Sequence, residues 1–315
     1  MFYKNKKVLV TGAGGLLGSQ VAKMLVEQGA IVRASYRGRK VPSWVGDVEK
    51  VKADFMNIED VKKCVEGMDI VFVCSANTSG AGVMAHDPLQ HVTPNLIMNS
   101  TLMEESYRAG VERFFFVSSA TTYPPADYPI KEEEVYDGEP YKTYFGVGWM
   151  KRYTEILGQF YQRNNMMKIA TVRPANIYGI QGDFTDETGH VLPALIRRAL
   201  EKQSPYVVWG NPDVVRDFTH SVDMARACLD VVEHYAVCDP INIASGNLVT
   251  IGESVDLILK CAGHNVTPEY DESKPVTIQY RALDTSKASD VIGYKPTISF
   301  EDGIKETVEW IRENM

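Results

Sequence analysis

The run Thr11-Gly12-Ala13-Gly14-Gly15-Leu16-Leu17-Gly18 restricts this chain more than any other feature. It fits T-G-x-x-G-x-x-G and lies between a short apolar stretch, Val8 to Thr11, and a helical pattern, Leu16 to Gln28. Glycines at this spacing let the backbone turn sharply from strand to helix and approach a pyrophosphate, whose charge meets the free N–H groups at the helix N-terminus. Three glycines elsewhere would mark an ordinary turn. Between a strand and a helix they predict a dinucleotide site, with Gly12, Gly15, Leu16, Leu17 and Gly18 on its phosphate side.

The rest of the first half repeats the alternation. Strands are expected at Ile31 to Tyr36, around Val51 to Ala53, and at Ile70 to Cys74, Phe114 to Ser118 and Ile169 to Arg173; helices at Ile58 to Glu66, about Pro94 to Ala109 and near Tyr144 to Arg163. Short β-branched runs joined by helical crossovers imply an α/β fold, a doubly wound parallel sheet (Rossmann). After Pro174 the pattern loosens. A polar loop at 182–189 and an amphipathic helix, Val191 to Lys202, introduce a smaller C-terminal α/β region suited to a substrate. Residues 1–175 are expected to form the dinucleotide-binding domain and 176–315 the substrate-binding region, with part of 215–245 returning to the first.

The end of the second strand distinguishes the two common dinucleotides. An acid there would hydrogen-bond the ribose 2′-OH and repel a 2′-phosphate, whereas Arg accommodates the phosphate. This chain has Ser35-Tyr36-Arg37-Gly38-Arg39-Lys40 and no acid. NADP is therefore favoured, with NAD the alternative. Asp54, after the third strand, suits the adenine amino group.

With 33 Lys and Arg against 41 Asp and Glu, the formal charge is -8, which disfavours a general nucleic-acid surface. Any anionic ligand needs a local cluster of positive charge. The five cysteines are scattered with no C-x-x-C pair, arguing for reduced thiols in the cytoplasm and against a disulfide framework or a metal site. No apolar run is long enough to span a membrane.

The glycine run, Phe116-Val117-Ser118-Ser119-Ala120-Thr121-Thr122-Tyr123, and Arg173-Pro174-Ala175-Asn176-Ile177-Tyr178-Gly179 occur in this order. Together they resemble the extended short-chain dehydrogenase/reductases, the nucleotide-sugar epimerases, dehydratases and reductases. By the stretches His190 to Arg198, Val207 to Gly210 and Arg216 to Ala225, the likeness is greatest to the GDP-fucose synthase branch. The resemblance implies a catalytic Ser, Tyr and Lys, of which Ser119 is the Ser. It also implies cofactor contacts from Ser35, Tyr36, Arg37, Asp54, Phe55, Ser75, Ala76, Lys151 and Pro174, and a homodimer formed through two helices of the dinucleotide domain.

The Tyr and Lys depart from the pattern Y-x-x-x-K. Lys151 with Glu155 has the right spacing, but Val147 then stands where the Tyr belongs; counting from Tyr144 puts Gly148 where the Lys belongs. The first alignment is preferred. Tyr144, one turn before Val147, either presents a displaced hydroxyl or packs at the helix start, and spacing does not choose between these. Ala120 and Thr121 replace the Asp and Glu of the dehydratases. Thr121 also replaces the Cys that works with a His in GDP-fucose synthase, while His190 matches the His. A threonine hydroxyl is too weak an acid to replace a thiol, so hydride chemistry at one carbon, C4, is expected in place of full 3,5-epimerisation.

For the substrate, the resemblance implies contacts from Asn176, Arg198, Trp209, Arg216 and Arg281, with Arg suited to a diphosphate and Trp to a nucleoside. The expected activity is an NAD(P)-dependent oxidoreductase of a nucleotide sugar, GDP favoured as the nucleotide. The alternatives are an epimerase using transient C4 oxidation and a dinucleotide-binding protein with little turnover.

Overall fold

A computed structural model describes residues 1–78, 87, 89–182, 184, 190–274 and 278–315. In the first half the chain runs β1 (Lys7–Thr11), α1 (Leu16–Glu27), β2 (Ile31–Tyr36), β3 (Glu49–Lys52), α2 (Ile58–Val65), β4 (Ile70–Val73), α3 (Leu89–Arg108), β5 (Arg113–Val117), α4 (Phe145–Arg163) and β6 (Lys168–Pro174). The second half adds β7 (Asn176–Tyr178), α5 (Val191–Leu200), β8 (Tyr206–Trp209), β9 (Val215–His220), α6 (Ser221–His234), β10 (Ile241–Ile243), β11 (Leu248–Thr250), α7 (Ile251–Ala262), β12 (Pro268–Asp271), β13 (Tyr280–Arg281), α8 (Ser286–Ile292) and α9 (Phe300–Asn314).

Seven strands form one parallel sheet in the order β10-β6-β5-β4-β1-β2-β3. Helices cover both faces, so the inner strands read as continuous apolar runs, Ile-Val-Phe-Val in β4 and Phe-Phe-Phe-Val in β5. The edge strand β3 is Glu-Lys-Val-Lys, a charged edge that discourages further pairing. One core joins Leu17, Val21 and Leu25 of α1 to Met224, Cys228 and Val232 of α6 across Val8, Val10 and Phe72. The other lies beneath Leu102 and Met103 of α3. Thus α6 and β10, which follow β9 in sequence, cross back and extend the dinucleotide-type sheet.

The remaining elements pack beside the carboxyl ends of its strands. β9 pairs with β7, β11 and β13, and β8 pairs with β12. Leu192, Leu195 and Ile196 of α5, Val255 and Ile258 of α7, and Ile304 and Val308 of α9 share the core beneath them.

Three boundaries differ from expectation for physical reasons. α3 starts at Leu89, so Pro94 lies inside it; proline removes a single N–H bond there, and the helix continues across it. β3 starts two residues earlier because Glu49 pairs with Arg33, with 2.8 Å between its carboxylate and Arg33 Nε. α5 stops at Leu200 because Lys202 turns left-handed, with φ 57°, and its ammonium donates to the carbonyls of Ala262 and Gly263. No helix among the described residues is long and apolar enough to cross a membrane.

Candidate active site

The glycine loop opens at the carboxyl end of β1. Gly12 has φ 64°, and a Cβ there would come within 2.9 Å of the Ser75 backbone. A Cβ on Gly18 would lie 2.4 Å from the Gly12 carbonyl oxygen, so helix and loop touch only because both residues lack side chains. Thr11 secures the neighbouring strand: its hydroxyl accepts from the N–H groups of Cys74 and Ser75, each at 3.0 Å, and donates to Ser75 Oγ. α1 begins at Gly15 without a side-chain cap. The amides of Leu16, Leu17 and Gly18 therefore have no earlier carbonyl in the helix to meet, and they present a positive helix end. This cradle fits a dinucleotide pyrophosphate.

On the adenosine side, Ala13 donates its N–H to the Ser35 carbonyl, and Ser35 Oγ is buried with no hydrogen-bond partner among the described residues. Tyr36 is half-buried and Arg37 exposed, with Arg37 Nη2 donating to Asn77 Oδ1 at 3.1 Å. Asp54 is exposed, its Oδ1 accepting from Met56 N–H, while Phe55 is buried behind it. Ser75 and Ala76 follow β4. Asn95 on α3 then grips Asn77, accepting its N–H at 2.8 Å and donating to its carbonyl at 2.9 Å. Neither asparagine was anticipated, because a lone Asn inside a helix and another in a loop carry no sequence signal of pairing.

The segment expected to carry the catalytic Ser leaves β5. Ser119 is partly exposed, and its Oγ accepts from Thr121 N–H at 3.1 Å. Thr121 Oγ1 is enclosed, with no hydrogen-bond partner among the described residues. α4 passes close by: a Cβ on Gly148 would meet the Thr121 carbonyl oxygen at 2.5 Å. One turn on, Lys151 donates to the Val117 carbonyl at 2.7 Å, with its ammonium 4.7 Å from the centre of the Phe116 ring. Burial pushes the Lys151 ammonium down to about 8, with Glu155 working against the shift. Val147 is half-buried on the same face.

Glu155 has a separate role that the Lys-to-Glu spacing did not reveal. It is buried, and its carboxylate forms a bidentate pair with Arg173 of β6 at 3.0 and 2.7 Å while accepting the Ser118 hydroxyl. Arg173 also donates to Tyr123 Oη and to the Glu132 carbonyl, and Tyr123 Oη donates to Asn242 Oδ1 at 2.6 Å. This network fixes the ends of β5 and β6 beneath Ser119. The chance to recognise it lay in the two arginine-bearing and serine-bearing motifs taken together, since only the parallel pairing of β5 with β6 brings them side by side.

Arg216 of β9 and Arg281 of β13 are paired neighbours, both buried. Arg281 Nη1 and Nη2 donate to the carbonyls of Pro124 and Tyr123, which ties the substrate side to the Ser119 segment. Arg216 donates to the carbonyls of Val215, Ile278 and Gln279. Burial lowers both guanidinium pKa values, that of Arg281 to about 10. Tyr144 is half-buried in the turn that leads into α4.

The other residues expected at the substrate are more widely spread. Asn176 is exposed at the start of β7, just after buried Pro174, and Arg198 Nη1 donates to the Val207 carbonyl at 3.1 Å. Trp209 is 44% exposed at the end of β8, with the Lys274 ammonium 5.9 Å from its ring centre. His190 is exposed at the start of α5. Of the loop expected to cover the pocket, residues 183 and 185–189 lie outside the described residues.

Residues 8–244 match the NAD dependent epimerase/dehydratase family. The chain belongs to that family. The matched span runs from β1 through β10 and so contains all seven strands of the parallel sheet and both sides of the glycine cleft.

Family relatives extend the likeness over the whole chain. GDP-L-fucose synthase 1 of Arabidopsis thaliana is 29% identical over 327 residues, covering 99% of this chain and 95% of that protein. GDP-mannose 3,5-epimerase of the same plant is 26% identical over 321 residues, covering 99% and 84%. Among solved structures, UDP-glucose 4-epimerase from Thermotoga maritima with UDP-glucose superposes with a TM-score of 0.86 at 26% identity, covering 98% of this chain and 99% of the other.

Proposed function

We propose that this family member transfers hydride at one carbon, C4, of a nucleoside-diphosphate sugar, with GDP the favoured nucleotide and NADP the favoured dinucleotide, NAD the alternative. The observation that carries this reading is the buried Arg216–Arg281 pair, which is tied to the segment after Ser119 through the carbonyls of Pro124 and Tyr123. Two adjacent buried guanidiniums repel each other and favour an anion between them, and a planar fork suits a diphosphate. GDP is favoured by the curated relatives, the GDP-L-fucose synthases and GDP-mannose 3,5-epimerases.

The nicotinamide ring, when bound, supplies the hydride or accepts it. The protein's own residues position and protonate. Ser119 holds the reacting oxygen, and Lys151, anchored to Val117, binds the nicotinamide ribose. Val147 carries no proton. The proton is therefore assigned to Tyr144, one turn before Val147, or to a water held between Ser119 and Lys151. Thr121 in place of a thiol or carboxylate supports a single hydride step over 3,5-epimerisation.

Residues 1–175, with α6 and β10 added, would serve the dinucleotide, and the remainder the sugar. A cytoplasmic setting agrees with five unpaired cysteines. α4 exposes Phe145, Trp149, Tyr153, Ile156 and Phe160 along one face, a helical stripe suited to a second copy of this chain, so a homodimer is proposed; sedimentation as a monomer at micromolar concentration would refute it.

The test is the absorbance of the reduced nicotinamide band as GDP-sugars, and then UDP-sugars, are added to the protein with its dinucleotide. A change with a nucleotide sugar is expected. Val147 favours a second reading, a dinucleotide-binding protein with little turnover, which predicts binding with no change for any sugar.

A further inference from the structure

The turn after β2 sends its arginines across the cofactor cleft. Arg39 Nη1 donates to the carbonyls of Gln181 and Gly182, at 2.6 and 2.5 Å, in the loop that follows β7. Gln181 Nε2 returns to the Gly14 carbonyl at 3.4 Å, in the middle of the glycine loop. Gly14 lies directly under the same turn: a Cβ on it would stand 2.0 Å from the Arg39 carbonyl oxygen and 3.1 Å from that of Lys40. Gln181 adopts φ 66°, a conformation that side chains rarely take, so its carbonyl is held toward Arg39 by the surrounding contacts. On the other side, Arg37 reaches Asn77, which Asn95 fixes to α3.

Two segments that are distant in sequence, the turn after β2 and the loop after β7, thus meet at Gly14. Arg37 spans from β2 to the end of β4, and Arg39 spans from β2 to the end of β7. Together they form a strap across the face of the loop that seats the pyrophosphate.

We infer that Arg39 is a positioning residue that closes this strap and makes the dinucleotide a long-resident group, slow to exchange compared with the sugar. The inference rests on the reading that the Gly12–Gly18 loop holds the pyrophosphate. For the dinucleotide to leave, the turn must lift from Gly14, which breaks the charge-assisted bonds from Arg39. Each such bond corresponds to a factor of about 10 to 100.

The experiment follows the fluorescence of bound NADH or NADPH on the full-length protein while excess oxidised dinucleotide is mixed in rapidly. Arg39→Met should accelerate release about 10- to 100-fold for both dinucleotides, and Arg39→Lys, which restores a charged donor, should recover most of the slow rate. An unchanged release rate in Arg39→Met would overturn the strap. So would acceleration confined to NADPH, which would assign Arg39 to the 2′-phosphate. Failure of the wild-type protein to bind either dinucleotide would instead overturn the pyrophosphate reading itself, and with it the strap.

Discussion

The glycine loop after β1 and the first turns of α4 are treated differently by the sequence. In the loop, Gly12, Gly14 and Gly18 each stand where a Cβ would collide with backbone, and the helix behind it is left uncapped. On α4, Lys151 and the packing glycine Gly148 are in place, while Val147, one turn before Lys151, brings no ionisable group. Dinucleotide binding and proton transfer are therefore separable in this chain, and each can be disrupted while the other is observed.

The largest effect is expected at Lys151. Lys151→Met should reduce single-turnover hydride transfer by about 10²- to 10⁴-fold, and stopped-flow absorbance will measure it. The pH dependence carries the same assignment. The ammonium donates a proton below about 8 and is lost above it. Sugar reduction should therefore fall as pH rises through about 8, and sugar oxidation, which needs the free amine, should rise over the same range. A reduction rate that stays flat to pH 10 would remove Lys151 from the proton path.

Glu155→Gln strikes beneath both sides of the cleft. It leaves Arg173 buried without its carboxylate, a loss of about 3 to 5 kcal/mol for a broken buried pair, which thermal or urea unfolding will detect. A change below 1 kcal/mol would mean that the pair does not support the ends of β5 and β6.

Gly18→Val is smaller in energy and confined to the loop. Overpacking against the Gly12 carbonyl should cost about 1 to 3 kcal/mol of dinucleotide affinity, read by calorimetry. The near-ultraviolet spectrum of the aromatic residues around α4 should stay unchanged.

These contrasts also explain what could be read from the sequence. The parallel strands were legible because a strand covered on both faces must be apolar throughout, as β4 and β5 are, and the glycine loop because its steric demands leave few substitutes. Pro94 misled because proline is a strong signal for a helix start but is also tolerated inside a helix. The Glu155–Arg173 pair, the Asn77–Asn95 clamp and the Arg39 strap stayed hidden because each depends on which strands lie adjacent, and spacing along one segment contains no such information.

The central claim is that the protein performs hydride chemistry with Val147 standing one turn before Lys151. Its most direct test is the reduced nicotinamide absorbance of wild-type protein with bound dinucleotide, recorded as GDP- and UDP-sugars are added and repeated with Lys151→Met. The account predicts an absorbance change with a nucleotide sugar in the wild type and its loss in the variant. Tight dinucleotide binding with no change for any sugar would contradict it.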